Sequence, residues 1–310
     1  MRLLLVLTLV AVGALALGLY WLWTPDRSRA ALEAAYLDAP SDMVEVDGVW
    51  LHVRDSGPKE APALIMLHGF GSSLHTWEPW AAALGDRYRV VRFDIPGAGL
   101  SGVDPTGDYS DERTLAVLLA LMDRLSIERA TLIGNSMGGR FAWRFAAAHP
   151  ERVDRLVLIS PDGFASHGLE YGKRPNVPAT VSLMRYVLPR QLLRMNLVPA
   201  YADPSRLSEA TVDRYHDLLL APGVRDAMIE RMRQVELVPP PPLLATIAAP
   251  TLLLWGGKDA MIPLSNAADY QAALPDSRLV VLPNLGHVPH EEAPAEALVP
   301  VAAFLDERRE

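Results

Sequence analysis

No cysteine occurs anywhere in the 310 residues. That absence removes disulfides, thiolate nucleophiles and cysteine-based zinc sites together, leaves the redox compartment open, and rests stability on the core. An excess of positive charge is missing too. The formal net charge is −8, and because Arg2, Arg27 and Arg29 against Asp26 give residues 1–29 a local +2, the remainder carries −10. A body that acidic argues against a nucleic-acid partner. Internal repeats are absent, and the one low-complexity stretch is the run Pro239–Pro242, read as a stiff joint. At 50% hydrophobic and 21% charged residues the composition is that of a folded chain with one large core or two small ones, and disorder is excluded.

Charge is also absent from the 21 residues Leu3–Trp23, LLLVLTLVAVGALALGLYWLW. As a helix at ~1.5 Å per residue the run spans roughly 31 Å, about the thickness of a bilayer core. A secretory signal has a shorter apolar stretch, about 7–15 residues, and ends at a small-residue cleavage site. Ala14 and Ala16 offer such a site, but cutting there leaves LGLYWLW exposed. Tyr20, Trp21 and Trp23 read as an interfacial belt and Pro25 as a helix stop, so an uncleaved anchor is favoured over a cleaved signal or a core helix. Arginines on both flanks leave the orientation open. The expected location is membrane-anchored, with a periplasmic or extracytoplasmic catalytic part.

Residues 30–42 read as a helical spacer. After it MVEVDGVWLHVRDSG alternates around Asp47-Gly48, a strong hairpin signal. The runs 63–69, 88–95, 130–136, 153–160, 251–257 and 278–283 are dominated by apolar residues, as strands buried on both faces of a parallel sheet should be. Helical patterns at 76–84, 110–125, 137–149, 264–274 and 294–308 separate them. The alternation predicts an α/β fold with a mostly parallel central sheet and helices on both faces. The core is expected over 43–166 and 245–310, interrupted by a helical cap over 167–244.

LIGNSMGGRF, residues 132–141, places Gly134-Asn135-Ser136-Met137-Gly138 where a strand turns into a helix. That is the G-x-S-x-G pattern, in which small neighbours let a strained turn expose a serine at the carboxyl end of the sheet. Alone it fits equally a close-packed turn with a capping serine. A serine nucleophile needs a base, and the base needs an acid that fixes its tautomer. His52 lies in the hairpin, His68 and His75 come too early, and His149, His167 and His216 follow no late strand. His287, in LPNLGHVPHEEAP after the last strand, is the expected base, with His290 a rim or capping residue. Asp259, in LLLWGGKDAMIP, is the expected acid; Asp162 also follows a strand end and competes with it. Backbone amides of Met137, at the helix start, and of Phe70, in LHGFGSS, are placed to hold an oxyanion.

In this order LHGFGSS, FDIPGAGLSG, LIGNSMGGRF, LLLWGGKDAMIP and NLGHVPHEE resemble the α/β-hydrolase superfamily over about 43–310. The resemblance implies nucleophile Ser136, acid Asp259, base His287 and oxyanion amides of Phe70 and Met137, with no metal or organic cofactor. The GNSMGG elbow looks like that of bacterial lipases and esterases and of hydrolases that cleave carbon-carbon bonds in ring-fission products. The second group usually has a longer glycine-rich stretch after His-Gly, so a serine esterase or lipase acting on a small-molecule or lipid ester is placed first. Serine at 136 disfavours dehalogenases and epoxide hydrolases. Haloperoxidase-like relatives and triad-retaining ligand receptors with little turnover remain open, as does the oligomeric state.

Met184, Met195, Met228 and Met232 lie among leucines and valines of the cap. Flexible thioethers suit an adaptable wall, so the cap is expected to form an apolar acyl pocket and to move as a lid.

Overall fold

The structure, a computed structural model, describes residues 5–9, 12, 13, 18, 20, 22–165 and 170–307. Eight strands form one sheet: β1 (Met43–Val46), β2 (Val49–Ser56), β3 (Ala63–Leu67), β4 (Arg89–Phe93), β5 (Ala130–Asn135), β6 (Val153–Ile159), β7 (Thr251–Gly256) and β8 (Ser277–Leu282). Their spatial order is β1-β2-β4-β3-β5-β6-β7-β8. β2 pairs antiparallel with β1 and with β4, and every other pairing is parallel. Asp47 and Gly48 close the hairpin with positive φ values of 48° and 80°, the twist that a two-residue loop between right-twisted strands requires.

Side-chain alternation explains the apolar runs. Along β3, Leu64 and Met66 enter one core while Ile65 and Leu67 enter another. β7 repeats this with Leu252 and Leu254 against Leu253 and Trp255. Helices cover both faces. α2 (Glu78–Leu84) and α9 (Pro294–Asp306) close the first core; α3 (Asp111–Arg124) and α4 (Met137–Ala148) close the second. α3 shows the local cause of such a helix: Ser110 caps it by accepting from the Arg113 amide, Asp111 and Glu112 fill its first turn, and Leu115, Leu118 and Leu121 bury one face.

Helices also fill the interval between β6 and β7: α5 (Arg190–Leu197), α6 (Glu209–Leu219), α7 (Val224–Gln234) and α8 (Pro240–Leu244). The expected boundary at 167, and His167 itself, lie outside the described residues. The proline run opens α8 and so forms a helical turn, not an extended joint. This insertion has its own core of Leu188, Leu193, Tyr215, Leu218 and Val224, joined by Leu100 and by Leu32 from α1 (Arg29–Tyr36). The stretch read as a spacer is therefore packed: Leu32 is buried and the Tyr36 hydroxyl donates to Asp217 at 2.9 Å, while just before it the Arg27 amide donates to the Leu220 carbonyl at 2.8 Å.

Of the expected anchor, Leu5–Leu9, Val12, Gly13, Gly18, Tyr20, Leu22 and Trp23 are described, and the span as a whole is not. Among the described residues no helix is long and apolar enough to cross a membrane.

Candidate active site

The loops that follow β3, β5, β7 and β8 leave the same end of the parallel sheet, where open α/β sheets bind ligands. They carry Phe70, Ser136, Asp259 and His287 in turn. Ser136 sits between β5 and α4 with φ 54° and ψ −122°, a conformation that costs a residue with a side chain about 1–3 kcal/mol. The turn is tight because its neighbours lack side chains. A Cβ on Gly134 would lie 2.3 Å from the Gly138 carbonyl oxygen, and one on Gly138 would lie 2.2 Å from that of Leu67. Backbone bonds hold the turn: the Ser136 amide donates to Ile159 at 3.0 Å, and its carbonyl accepts from Arg140 at 3.0 Å.

His287 Nδ1 lies 2.8 Å from Asp259 Oδ2, with both side chains buried. The other carboxylate oxygen of Asp259 accepts from the Met261 and Ile262 amides, each at 2.8 Å. Burial alone would raise its pKa, but the hydrogen bond and attraction of His287 together with those two amides hold the carboxyl below its ordinary value. It is an acceptor in the ionised state, so Nδ1 of His287 carries the proton and Nε2 is left as the basic nitrogen. Asp162, the competing acid, points elsewhere: both its oxygens take Arg140 Nη1 at 2.9 Å.

Four further bonds brace the His287 loop, and sequence reading found none of the partner residues. Asn135, beside Ser136, donates from Nδ2 to the His287 carbonyl at 3.0 Å. The His287 amide donates to Ala200 in the insertion at 2.8 Å. Glu292 accepts from the Gly286 amide at 2.7 Å and from the Asp203 amide at 2.9 Å. A polar residue directly before the serine, and acids four and five residues after His287, are the signals the sequence offers.

The amides of Phe70 and Met137 have no acceptor among the described residues. Both residues line one cavity of about 310 Å³, whose walls include Val177, Met232 and Val235 from the insertion, with Arg140 and Asp162 among its polar residues. His68 is buried and lines a small space shared with Phe70, Gly71 and Met137. Its Nδ1 meets the Gly69 carbonyl, which can only accept, so Nε2 is unprotonated and takes the Ile95 amide at 3.1 Å. Asp94 ties the same loops together, accepting from the Leu74 and Leu100 amides and from His52. Ser72, two residues beyond Phe70, lies 3.1 Å from the Tyr215 hydroxyl of α6, and that hydroxyl donates to Glu291 at 2.9 Å.

Two expectations change here. His290 is no rim residue: it is buried, stacked on Trp77 with ring centroids 4.2 Å apart and bonded to the Thr76 hydroxyl, and burial lowers its pKa to about 3. Of the four methionines, Met232 lines the cavity and Met228 packs against Gly71, whereas Met184 joins the insertion's own core and Met195 is exposed.

Residues 62–294 match the family described as the alpha/beta hydrolase fold. The chain belongs to the α/β hydrolase family. Among curated relatives, an uncharacterized protein of Mycobacterium tuberculosis is 31% identical over 266 residues, covering 79% of this chain and 75% of that one. The 2-hydroxy-6-oxo-6-phenylhexa-2,4-dienoate hydrolase of Burkholderia cepacia is 29% identical over 245 residues, covering 76% of this chain and 84% of its own. Among solved structures, a membrane phospholipase A described as a bacterial virulence factor superposes with a TM-score of 0.73 at 28% identity, covering 99% of this chain and 98% of that one.

Proposed function

We propose that this hydrolase is a membrane-attached serine enzyme that cleaves carboxylic esters through Ser136, His287 and Asp259. The observation that carries it is the 2.8 Å contact of His287 Nδ1 with Asp259, on loops adjoining the strained Ser136 turn. Nε2 of His287 takes the Ser136 proton as Oγ attacks the ester carbonyl, and the Phe70 and Met137 amides hold the resulting oxyanion. The same imidazolium then protonates the leaving alcohol. Water, activated by His287 in turn, releases the acid from the acyl-enzyme. The apolar cavity beside those amides supports an acyl chain as the bound group.

Membrane attachment through Leu3–Trp23 rests on that uncharged run and on the likeness, over nearly the whole chain, to a membrane phospholipase. Ester panels of increasing chain length, run on the full chain with and without Ser136→Ala, test the chemistry. Loss of turnover with the fold retained supports it; turnover within tenfold of the parent overturns it.

A second reading is favoured by the dienoate hydrolase relatives: cleavage of a carbon-carbon bond with the same triad. Turnover of a 2-hydroxy-6-oxo-dienoate in preference to every ester decides for it. Binding of esters with no sustained release of product decides instead for a ligand receptor.

A further inference from the structure

Thr24 is the first residue after the uncharged run, and it is fastened to the insertion, not to the sheet. Its amide donates to the Tyr186 carbonyl at 2.8 Å, and its hydroxyl accepts from the Leu188 amide at 3.1 Å. The surface it meets is apolar. Leu183, Tyr186, Leu192 and Met195 are exposed by 58%, 60%, 46% and 68%, and Trp23, next to Thr24, by 56%. Five large apolar side chains exposed within two short stretches that touch each other are more than the scatter expected of a protein surface.

Charge does not oppose a lipid partner there. From Tyr171 to Ala200 the chain carries Lys173, Arg174, Arg185, Arg190 and Arg194 and no acid. Lys173 pairs with Glu170, Arg185 with Asp226, Arg190 with Glu209 and Asp213, and Arg194 with Glu209. Those pairs leave little net charge, so contact with lipid rests on apolar insertion and not on attraction to anionic headgroups.

We propose that this face of the insertion, around Leu183, Tyr186, Leu192 and Met195, docks on the surface of the bilayer that Leu3–Trp23 enters. The inference rests on the membrane attachment proposed above. It adds a direction for substrate: the cavity wall formed by Pro175, Val177 and Pro178 leads straight into the helical turn Ala179–Arg185, so an acyl chain in the lipid lies against the side of the enzyme that holds the pocket.

The absence of cysteine makes the test clean. Leu183→Cys, Tyr186→Cys and Met195→Cys are each labelled with a nitrobenzoxadiazole fluorophore in the full chain, reconstituted in phosphatidylcholine vesicles with or without brominated acyl chains. Lys59→Cys, on the loop before β3 at the opposite end of the sheet, is the reference. Quenching at the three positions several-fold above the reference, unchanged at high salt, is expected. Quenching no greater than at Lys59, or a fluorescence change that grows with protein density as self-association would give, overturns the docking face. A chain that floats with vesicles but shows unquenched labels removes the docking face alone, whereas a chain that fails to float removes the anchor and the face together.

Discussion

The amide of His287 and the carbonyl of Ala200 are hydrogen-bonded at 2.8 Å, so the insertion holds the backbone of the proposed base. Replacing residues 170–238 with a short linker would remove that contact along with the cavity wall. Reactivity toward a small acetate ester is therefore expected to fall together with chain-length selection, which separates this fold from one whose cap only selects.

Selection alone is tested by Met232→Trp, which fills the cavity and leaves Ala200 in place. A methylene gained or lost in an apolar substrate pocket is worth about 1–3 kcal/mol of transition-state binding, so kcat/KM for an octanoate ester should drop by about one to two orders of magnitude while the acetate ester is little affected. Equal losses on both esters would remove the cavity from acyl binding.

Asp259→Asn should lower kcat by about 10⁴, because an amide stabilises the wrong imidazole tautomer. Asp162→Asn acts on Arg140 and should lower the melting temperature with kcat within tenfold. The reverse ranking, measured on one ester, would reassign the acid.

Tyr215→Phe removes the hydroxyl that joins Ser72 to Glu291 and leaves Ser72 without its partner, a change worth about 1 kcal/mol. The expected result is a fall of several-fold in kcat/KM, with Ser72→Ala adding nothing on top of it. Additive losses in the double mutant would show that the two hydroxyls act separately.

His290 gives the fold a pH dependence whose sign is fixed. Its pKa is about 3 when folded and near 6.5 when unfolded, so between those values the unfolded chain binds the extra proton. No stability is lost above pH 6.5, and loss accumulates as the pH falls, on the order of 3 kcal/mol by pH 4.5. His75, lowered to about 4 by burial, acts in the same direction. In melting curves from pH 7.5 to 4.5, His290→Gln should flatten the decline; an unchanged slope would assign it to other groups.

Much of this arrangement is legible in the sequence because it follows from local rules. The strand ends match the apolar runs within two residues, since a strand buried on both faces is read from its apolar content. The glycines around Ser136 announce their turn because no residue with a side chain fits at their positions. What was hidden depends on distant partners. Leu32 lies in a stretch that looks like a spacer and is buried only because the insertion lies over it. His290 looks like a polar loop residue, and Trp77 makes it a core residue. The acid was ambiguous between Asp162 and Asp259 because both follow strands, and the difference is Arg140, which claims the first.

The Ser136 turn has a cost that never appears in an activity assay. Its φ of 54° and ψ of −122° suit a residue without a Cβ, so glycine at 136 would relieve about 1 kcal/mol or more of backbone strain while removing the hydroxyl. With Ser136 as the proposed nucleophile, that sturdier chain would be a dead one. Heat resistance used as the sole criterion in a mutant library would enrich inactive chains at this position, and only a screen that also demands turnover would keep the serine.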